Sequence, residues 1–353
     1  MQIVIERTTT PKPKPDLDKL GFGRVFTDHM FMMDYNNEAG WHNPRIRPYG
    51  PMELDPSTAV FHYAQAVFEG MKAFRTADGR ILLFRPRQNM SRLNKSNARM
   101  VIPLIDEAFC LEAIKQLVRL DQDWIPSALG MSLYIRPFII ATDPVLGVRR
   151  SSTYRFITIL SPVGAYYEQG ISPISIHVES EYVRAVRGGT GFAKAAGNYG
   201  GSLKAQEEAH QEGHSQVLWL DGIERRYVEE VGAMNVFFRI GDEMITPELG
   251  DSILPGITRD SVIHLLRHWG ITVTERKLAI DELFQAYEEG KLLEALGSGT
   301  AAAISPIGKL AWKGRTITIG DGKIGEWSQK LYDTLTGIQS GRIRDEWGWT
   351  VEL

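Results

Sequence analysis

One lysine in this chain lies among small residues, where its amine could serve as a nucleophile. Lys194 belongs to the stretch from Arg184 to Tyr199, which is rich in glycine and alanine. Small side chains allow a bulky group to approach the backbone. Removal of water from the amine would lower the pKa of the lysine and make it nucleophilic. A flexible surface turn with a solvated lysine has the same composition, so the stretch alone leaves both interpretations open.

Two nucleotide-binding motifs could explain the glycines, and neither fits. A Walker loop has glycine before its lysine and serine or threonine after it, whereas Lys194 stands between two alanines. Residues 297–302 match the dinucleotide pattern G-x-G-x-x-A, but that pattern requires a helix directly after it. Pro306 and Gly308 follow within a few residues, which argues against a helix and against a dinucleotide site.

Three further features could bind an anion. Arg136 lies within an apolar run, where a guanidinium is costly to bury without an anionic partner. Arg92 lies on a predicted helix, where arginines usually form surface ion pairs. A Pro-Gly turn precedes Ile257 and Thr258, whose backbone N–H groups would form an anion site reinforced by the helix dipole. Taken alone, that segment is more simply an ordinary helix start.

Composition narrows the class of protein. The 353 residues are 43% hydrophobic and 24% charged, which is typical of a globular chain of two domains. Forty basic and 43 acidic residues give a net charge of -3, which argues against nucleic-acid binding. Cys110 is the sole cysteine, so neither an intrachain disulfide nor a cysteine metal site can form. We find no apolar run long enough to span a bilayer and no signal peptide, and expect a soluble cytoplasmic protein.

Hydrophobic periodicity predicts the elements that position these residues. The predicted strands are 26–35, 71–75, 81–84, 133–140, 154–160, 174–178, 216–220, 224–230 and 243–245. The strand at 224–230 is predicted to continue through 231–238 without a break. The predicted helices are 89–100, 111–120, 202–211, a helix from 257, and 327–338. The predicted organisation is a proline-rich arm (1–20), a small α/β domain (21–163), a linker (164–172) and a larger domain (173–353).

Six motifs together resemble the branched-chain amino acid aminotransferases, which are fold-type IV pyridoxal-phosphate enzymes. The motifs are HYAQAVFEGMKAF (62–74), LYIRP (133–137), KAAGNY (194–199), EEVGAMN (229–235), LPGITR (254–259) and GSGTA (297–301). The resemblance extends from about Gly21 to Trp349. It implies a two-domain α+β fold of mixed α/β character, with pyridoxal 5'-phosphate bound between the domains.

The resemblance also implies a role for each matching position on the cofactor side. Lys194 matches the Schiff-base lysine, which also moves a proton between the substrate Cα and the cofactor C4′. The other positions match groups that contact the cofactor's ring or phosphate: Glu230 at the ring nitrogen, Tyr199 at the ring oxygen, Arg184 lining the pocket, and Arg92, Ile257, Thr258 and Thr300 at the phosphate.

On the substrate side the resemblance implies a pocket for both an apolar and a carboxylate side chain. Its positions are Tyr63 with the amides near Thr300 and Ala301 for the α-carboxylate, Phe68, Tyr134 and Tyr166 for the apolar walls, and Arg136 helped by Lys72 for the distal carboxylate of glutamate. Ala233 stands where some relatives have threonine, so a hydroxyl contact to the substrate is lost or replaced by backbone. Ala302 and Ser305 replace the Cys-x-x-Cys switch of mammalian relatives, so thiol regulation of that kind should be absent.

The implied activity is ping-pong transamination between a branched-chain L-amino acid and 2-oxoglutarate by a homodimer or larger homo-oligomer. Two other enzymes of this fold remain alternatives, a D-amino acid aminotransferase and an aminodeoxychorismate lyase. The sequence around Phe68 and Arg136 favours the branched-chain class. A protein that binds the cofactor or phosphate without turnover is a further alternative, which the presence of Lys194, Tyr199 and Glu230 together disfavours.

Overall fold

The structure is a computed structural model that describes residues 1–164 and 171–353. They form two compact units. The first contains residues 1–164, 193–197 and 337–353, and the second contains residues 171–192 and 198–336. The predicted linker at 164–172 lies mostly outside the described residues, and the predicted domain boundaries stay a prediction. Within the described ranges, no helix is long and apolar enough to cross a membrane.

Eight strands and three helices lie in the chain up to residue 164. The strands are β1 (Val4–Ile5), β2 (His29–Asn36), β3 (Gly40–Pro48), β4 (Ala66–Phe68), β5 (Met71–Arg75), β6 (Ile81–Phe84), β7 (Ser132–Ala141) and β8 (Tyr154–Val163). The helices are α1 (Ala59–Tyr63), α2 (Pro86–Arg99) and α3 (Glu107–Leu120), with 3-10 turns at Leu17–Lys19 and Gln122–Trp124.

From residue 171 the chain again alternates between strands and helices. The strands are β9 (Ile174–Val178), β10 (Gln216–Leu220), β11 (Val228–Val231), β12 (Met234–Ile240), β13 (Glu243–Thr246), β14 (Thr272–Glu275), β15 (Leu292–Gly299), β16 (Ala303–Trp312), β17 (Arg315–Thr318) and β18 (Thr350–Glu352). The helices are α4 (Gly197–Gly200), α5 (Leu203–Gln211), α6 (Ile257–His268), α7 (Ile280–Glu288) and α8 (Glu326–Gln339), with a 3-10 turn at Gly320–Gly322.

The first unit is built on one sheet in the order β1-β3-β2-β8-β7-β5-β6-β18, with β4 also paired to β7. Every neighbouring pair is antiparallel except β1 with β3. Helices α2 and α3 contribute Met90, Leu93 and Leu117 to its fully buried core. The spacing of these apolar residues is what predicts both helices, and the structure confirms them.

Six strands of the second unit close on themselves. Strand β11 pairs with both β10 and β12, so β11-β10-β9-β16-β15-β12 form a ring, and β13, β14 and β17 extend it. Its core includes Leu218, Phe238 and Leu310, all fully buried. Strand β16 directly follows residues 297–302, which confirms that this glycine motif does not open a helix.

The prediction of one unbroken strand from Glu224 through Phe238 is wrong. Strand β11 begins only at Val228 and ends at Val231, and β12 begins at Met234. Gly232 has a φ of +56°, a left-handed conformation that suits glycine and reverses the chain in two residues. The apolar pattern continues across this turn because both strands of the hairpin are buried.

The proline-rich arm is held by a hydrogen-bonded chain that ends in the core. His29 Nε2 accepts a hydrogen bond from the Thr8 amide at 2.9 Å. Asp121 accepts from the His29 amide at 2.9 Å and lies 2.6 Å from His29 Nδ1. His29 and Asp121 are both buried. This network joins the arm to β2 and to Asp121, the residue that ends α3.

We therefore expect Asp121→Ala to lower the free energy of unfolding of this unit by about 3 kcal/mol, because it leaves buried donors of His29 without an acceptor. The matched control is Asp123→Ala, since Asp123 is exposed two residues away, and it should change stability by less than about 0.5 kcal/mol. Urea unfolding followed by tryptophan fluorescence measures both. Equal stability of the two variants would contradict a structural role for the network.

Candidate active site

The main chain of the lysine segment is fixed onto β4. The Phe68 amide donates to the Lys194 carbonyl at 3.1 Å, and the Ala196 amide donates to the Ala66 carbonyl at 3.0 Å. The Lys194 amide donates to Ser96 Oγ on α2 at 2.9 Å. The segment therefore pairs with β4 as an added piece of strand, and the interpretation as a flexible surface turn does not hold.

The Lys194 side chain lies in an aromatic and cationic cluster of the first unit. Its Nζ is 4.9 Å from the centre of the Phe68 ring, and the Arg136 guanidinium carbon is 4.6 Å from the centre of the same ring. Arg136 Nη2 also donates to the Tyr134 hydroxyl at 3.0 Å. Arg136 Nε is buried without a hydrogen-bond partner, and no carboxylate of the described residues pairs with this arginine. The cluster combines an apolar wall with an uncompensated cation.

Gly70 leaves the space that the Tyr134 hydroxyl occupies, because it has no side chain. A Cβ at Gly70 would lie 2.1 Å from that hydroxyl oxygen. Lys72 pairs with Tyr134 across β5 and β7, and burial lowers the pKa of Lys72 to about 8. An amine with that pKa is readily stabilised as a cation when an anion binds beside it. Lys72 is therefore placed next to the aromatic group that contacts Arg136.

Arg92 lies on α2 in a buried ion pair with Glu69. Its Nε and Nη2 donate to the two carboxylate oxygens at 2.7 and 2.9 Å, and Asn89 Nδ2 donates to the same carboxylate at 2.7 Å. Glu69 is fully buried. Burial by itself would raise the pKa of Glu69, but Arg92, Lys194 and Asn89 together hold it below its ordinary value. The arginine expected at the phosphate thus also neutralises a buried carboxylate.

Two of the predicted substrate residues lie apart from this cluster or outside the described chain. Tyr63 ends α1, is 36% exposed, and its hydroxyl donates to the carbonyl of Leu146. Tyr166 lies outside the described residues. The predicted role of each stays a prediction.

The second unit holds a buried carboxylate pair at β11. Glu230 is 3% exposed and accepts from the Leu254 amide at 2.8 Å and from Asn235 Nδ2 at 3.4 Å. Arg184 Nε lies 3.0 Å from its other oxygen. Arg184 also donates to the carbonyls of Gly191, at 3.3 Å, and Ser252. Glu230 is therefore a buried, charge-compensated acceptor held by backbone and side chains.

Glu229 beside it has a different environment. It is 6% exposed, and one of its oxygens accepts from Ser252 Oγ while the other has no hydrogen-bond partner. Burial is the largest cause that raises the pKa of Glu229, and the charge of Glu230 adds to it. Two adjacent carboxylates of one strand thus differ in charge compensation, and Glu230 is the better site for a lasting negative charge.

Helix α6 begins with backbone donors and no side-chain cap. Its N-cap is Gly256, where a Cβ would lie 2.0 Å from Asn235 Oδ1, so only glycine fits there. Ile257 and the buried Thr258 form its first turn. The predicted helix start is confirmed, and its binding of an anion stays a prediction.

The remaining predicted positions of the second unit lie in short connections. Thr300 and Ala301 form the turn between β15 and β16, Ala233 lies exposed in the turn between β11 and β12, and Tyr199 lies on the short helix α4. All four residues are at least partly exposed, so none of them belongs to the core.

Sequence reasoning missed the residues that hold these groups. Glu69, Ser96 and Asn235 are buried and bond to Arg92, Lys194 and Glu230. A signal existed for Glu69, because an arginine on the polar side of α2 and a glutamate in an apolar strand motif suggest a buried pair. No comparable signal marks Ser96, since one hydroxyl on a polar helix is ordinary.

Comparison with known proteins gives consistent relatives. Residues 66–309 match the family described as amino-transferase class IV. Branched-chain-amino-acid aminotransferase 2 of Bacillus subtilis (strain 168) is 61% identical over 351 residues, covering 99% of this chain and 97% of that protein. The crystal structure of the branched-chain amino acid aminotransferase of Escherichia coli has a TM-score of 0.77 at 28% identity, covering 92% of this chain and 98% of that one. The enzyme of the same name from Thermobaculum terrenum, in its PLP form, gives a TM-score of 0.76 at 25% identity, covering 93% and 98%.

These matches define the class of protein: the chain is a class IV aminotransferase with the mixed α/β fold of fold-type IV. The family match spans the lysine segment, β11 and the start of α6. Within that class, identity of 61% over nearly the whole length makes it a member of the branched-chain-amino-acid aminotransferase family. The resemblance drawn from its six motifs is confirmed.

The Glu69–Arg92 pair generates a stability prediction. Glu69→Gln should lower the free energy of unfolding at pH 7 by about 3 kcal/mol, because Arg92 is left buried without its counter-charge. Since the folded pKa of Glu69 lies below its ordinary 4.5, the advantage of the parent is present above that pH and is lost as the pH falls below it.

Glu112→Gln is the matched control, since Glu112 is half exposed and its loss should cost less than about 1 kcal/mol. Denaturant unfolding at pH 7 and at pH 4 measures both variants. A Glu69→Gln penalty that is equal at the two pH values, or absent at both, would contradict the ion pair.

Proposed function

We propose that this enzyme transfers the amino group between branched-chain L-amino acids (leucine, isoleucine and valine) and 2-oxoglutarate, with pyridoxal 5'-phosphate as cofactor, by a ping-pong mechanism. The observation that carries the proposal is the cluster in which the Phe68 ring contacts both the Lys194 amine and the Arg136 guanidinium. An aromatic wall suits a branched apolar side chain, and a guanidinium without a carboxylate partner suits the distal carboxylate of glutamate. The Bacillus subtilis relative is a branched-chain-amino-acid aminotransferase, which supports the substrate class.

The residues of the second unit fit the proposed cofactor. A phosphate suits the uncapped start of α6, where Gly256 admits no Cβ and Thr258 adds a hydroxyl. A protonated ring nitrogen suits Glu230, which is buried and compensated by Arg184 at 3.0 Å. When bound, pyridoxal phosphate supplies an aldehyde that takes up the amino group and a ring that withdraws electrons from the substrate's α-carbon.

In this proposal each residue of the chain has one task. Lys194 accepts the proton from the substrate Cα and returns it at the cofactor C4′, and its main-chain bonds to Phe68 and Ser96 keep it in place for both transfers. Glu230 holds a proton at the ring nitrogen, and Arg184 keeps that carboxylate compensated.

The remaining residues bind and orient. Ile257, Thr258, Thr300 and Arg92 bind the phosphate, with Arg92 also bound to Glu69 through Nε and Nη2. Tyr199 donates to the ring oxygen. Tyr63 and the amides near Thr300 and Ala301 bind the α-carboxylate, and Tyr134 and Tyr166 complete the apolar walls. Arg136 and Lys72 bind the distal carboxylate, and backbone at Ala233 takes the place of a threonine hydroxyl.

Lys194→Ala tests the central assignment. The variant should lose turnover by ~10³-fold or more, since no other base replaces the amine. Lys204→Ala is the matched control, because Lys204 is 66% exposed on α5, and its turnover should equal that of the parent. Formation of the 2-oxo acid from L-leucine and 2-oxoglutarate measures both. Turnover of Lys194→Ala within about tenfold of the parent would contradict the assignment, and a parent active only on D-leucine would move the enzyme to another class of this fold.

Arg136→Gln tests how one pocket accepts both substrates. We expect KM for 2-oxoglutarate to rise at least ~10-fold, the worth of one charge-assisted hydrogen bond. KM for L-leucine should change by less than about threefold, because the Phe68 wall remains. Arg119→Gln, which replaces an exposed arginine of α3, should change neither value. Equal effects on the two substrates would contradict the proposed role.

We also propose a homodimer or larger homo-oligomer in the cytoplasm, on the basis of the motif resemblance. Light scattering of the purified holoenzyme measures its mass against the 39.7 kDa of one chain.

A further inference from the structure

A cluster of side chains that could bind a metal ion lies in the second unit, among residues that the proposed transamination does not use. It consists of His177 on β9 and of Glu212 and His214, which follow α5. One ligand atom from each residue lies within 4.8 Å of the others. His177 Nδ1 is 3.4 Å from the Glu212 carboxylate. The centres of the His177 and His214 rings are 5.6 Å apart.

The end of α5 fixes the main chain that carries two of these residues. Gly213 has a φ of +85°, and its amide donates to the His210 carbonyl at 3.0 Å. The next amide, that of His214, donates to the Ala209 carbonyl at 2.8 Å. These two bonds form the Schellman ending of a helix, in which a left-handed glycine reverses the chain. Glu212 and His214 are thereby held on either side of a single glycine.

Strand β9 orients the cluster from the other side. The Ser215 amide donates to the Ser175 carbonyl at 2.8 Å, which fixes the connection between α5 and β10 beside β9. Ser175 Oγ is 2.8 Å from His214 Nδ1. That contact engages Nδ1 and leaves Nε2 available as a ligand atom. A hydrogen bond to the non-ligating nitrogen is the usual support of a metal-binding histidine.

We propose that His177, Glu212 and His214 form a binding site for one divalent transition-metal ion of the zinc type. Two imidazoles and one carboxylate are a donor set that zinc accepts, with water in the remaining position. The side chains of His177 and Glu212 are 30% and 62% exposed, so an ion can enter from solvent. The ion would link β9 to the connection that follows α5 and stabilise the folded second unit by mass action.

The test is isothermal titration of ZnCl2 into the chelator-treated, tag-free holoenzyme. Thiolates do not compete, because Cys110 is the sole cysteine and is buried. We expect one zinc ion per chain and a rise in Tm on addition of zinc. His177→Ala and His214→Ala should each weaken binding by ~100-fold or more, and Ser175→Ala, which removes the orienting hydrogen bond, by ~10-fold.

His210→Ala is the matched control, because His210 is exposed on the last turn of α5 and is not part of the cluster. It should bind zinc as the parent does. Retained transamination activity in the His177→Ala and His214→Ala variants establishes that they are folded. Absence of stoichiometric binding to the parent, or equal binding by the His177→Ala/His214→Ala double variant, would overturn the site.

Discussion

The main-chain attachment of Lys194 to β4 is the constraint on which the candidate chemistry depends. A lysine that moves one proton between two atoms must keep its backbone fixed while its side chain adjusts. Hydrogen bonds of its carbonyl to Phe68 and of its amide to Ser96 provide that fixation from a strand and from a helix of the same unit. The alanines on either side of Lys194 are nearly fully buried, so the segment is packed as well as bonded.

The buried charged groups of this protein differ in how they are compensated. Glu69 and Glu230 each have an arginine nitrogen within 3.0 Å. Hydrogen-bond donors reach both oxygens of Glu69 and Oε1 of Glu230. A buried carboxylate without such partners would protonate instead, as the raised pKa of Glu229 illustrates. Arg136 differs from them, because its Nε has no hydrogen-bond partner and no carboxylate of the described residues pairs with it. A partly buried cation without a counter-charge is costly, which is why we propose a substrate carboxylate as its partner.

Much of the fold could be predicted from the sequence, because its elements have clear periodicity. Residues 71–75, 81–84 and 174–178 are strands with the predicted bounds, and α2, α3, α5 and α6 lie where apolar spacing and turn residues indicate. The hairpin at Gly232 was not predicted, since both of its strands are buried and the apolar pattern does not mark the turn. The ring of six strands was also beyond reach, because it depends on the pairing of β11 with β12 across that turn.

The candidate site divides in the same way. The sequence marks three features of the site. Lys194 stands among small residues, Arg136 lies within an apolar run, and a Pro-Gly turn precedes α6. Ser96, Asn235 and Ser252 are ordinary polar residues whose significance comes from contacts made only after folding. Sequence therefore identifies groups that could react, whereas the groups that position them need the structure.

The most direct measurement is the visible absorption spectrum of the purified enzyme loaded with pyridoxal phosphate, recorded after L-leucine and again after 2-oxoglutarate. We expect the absorption band of the cofactor to disappear with leucine and to return with the oxo acid, so that each half-reaction is seen separately. A band that ignores L-leucine, or one that responds only to a D-amino acid, would contradict the proposed activity.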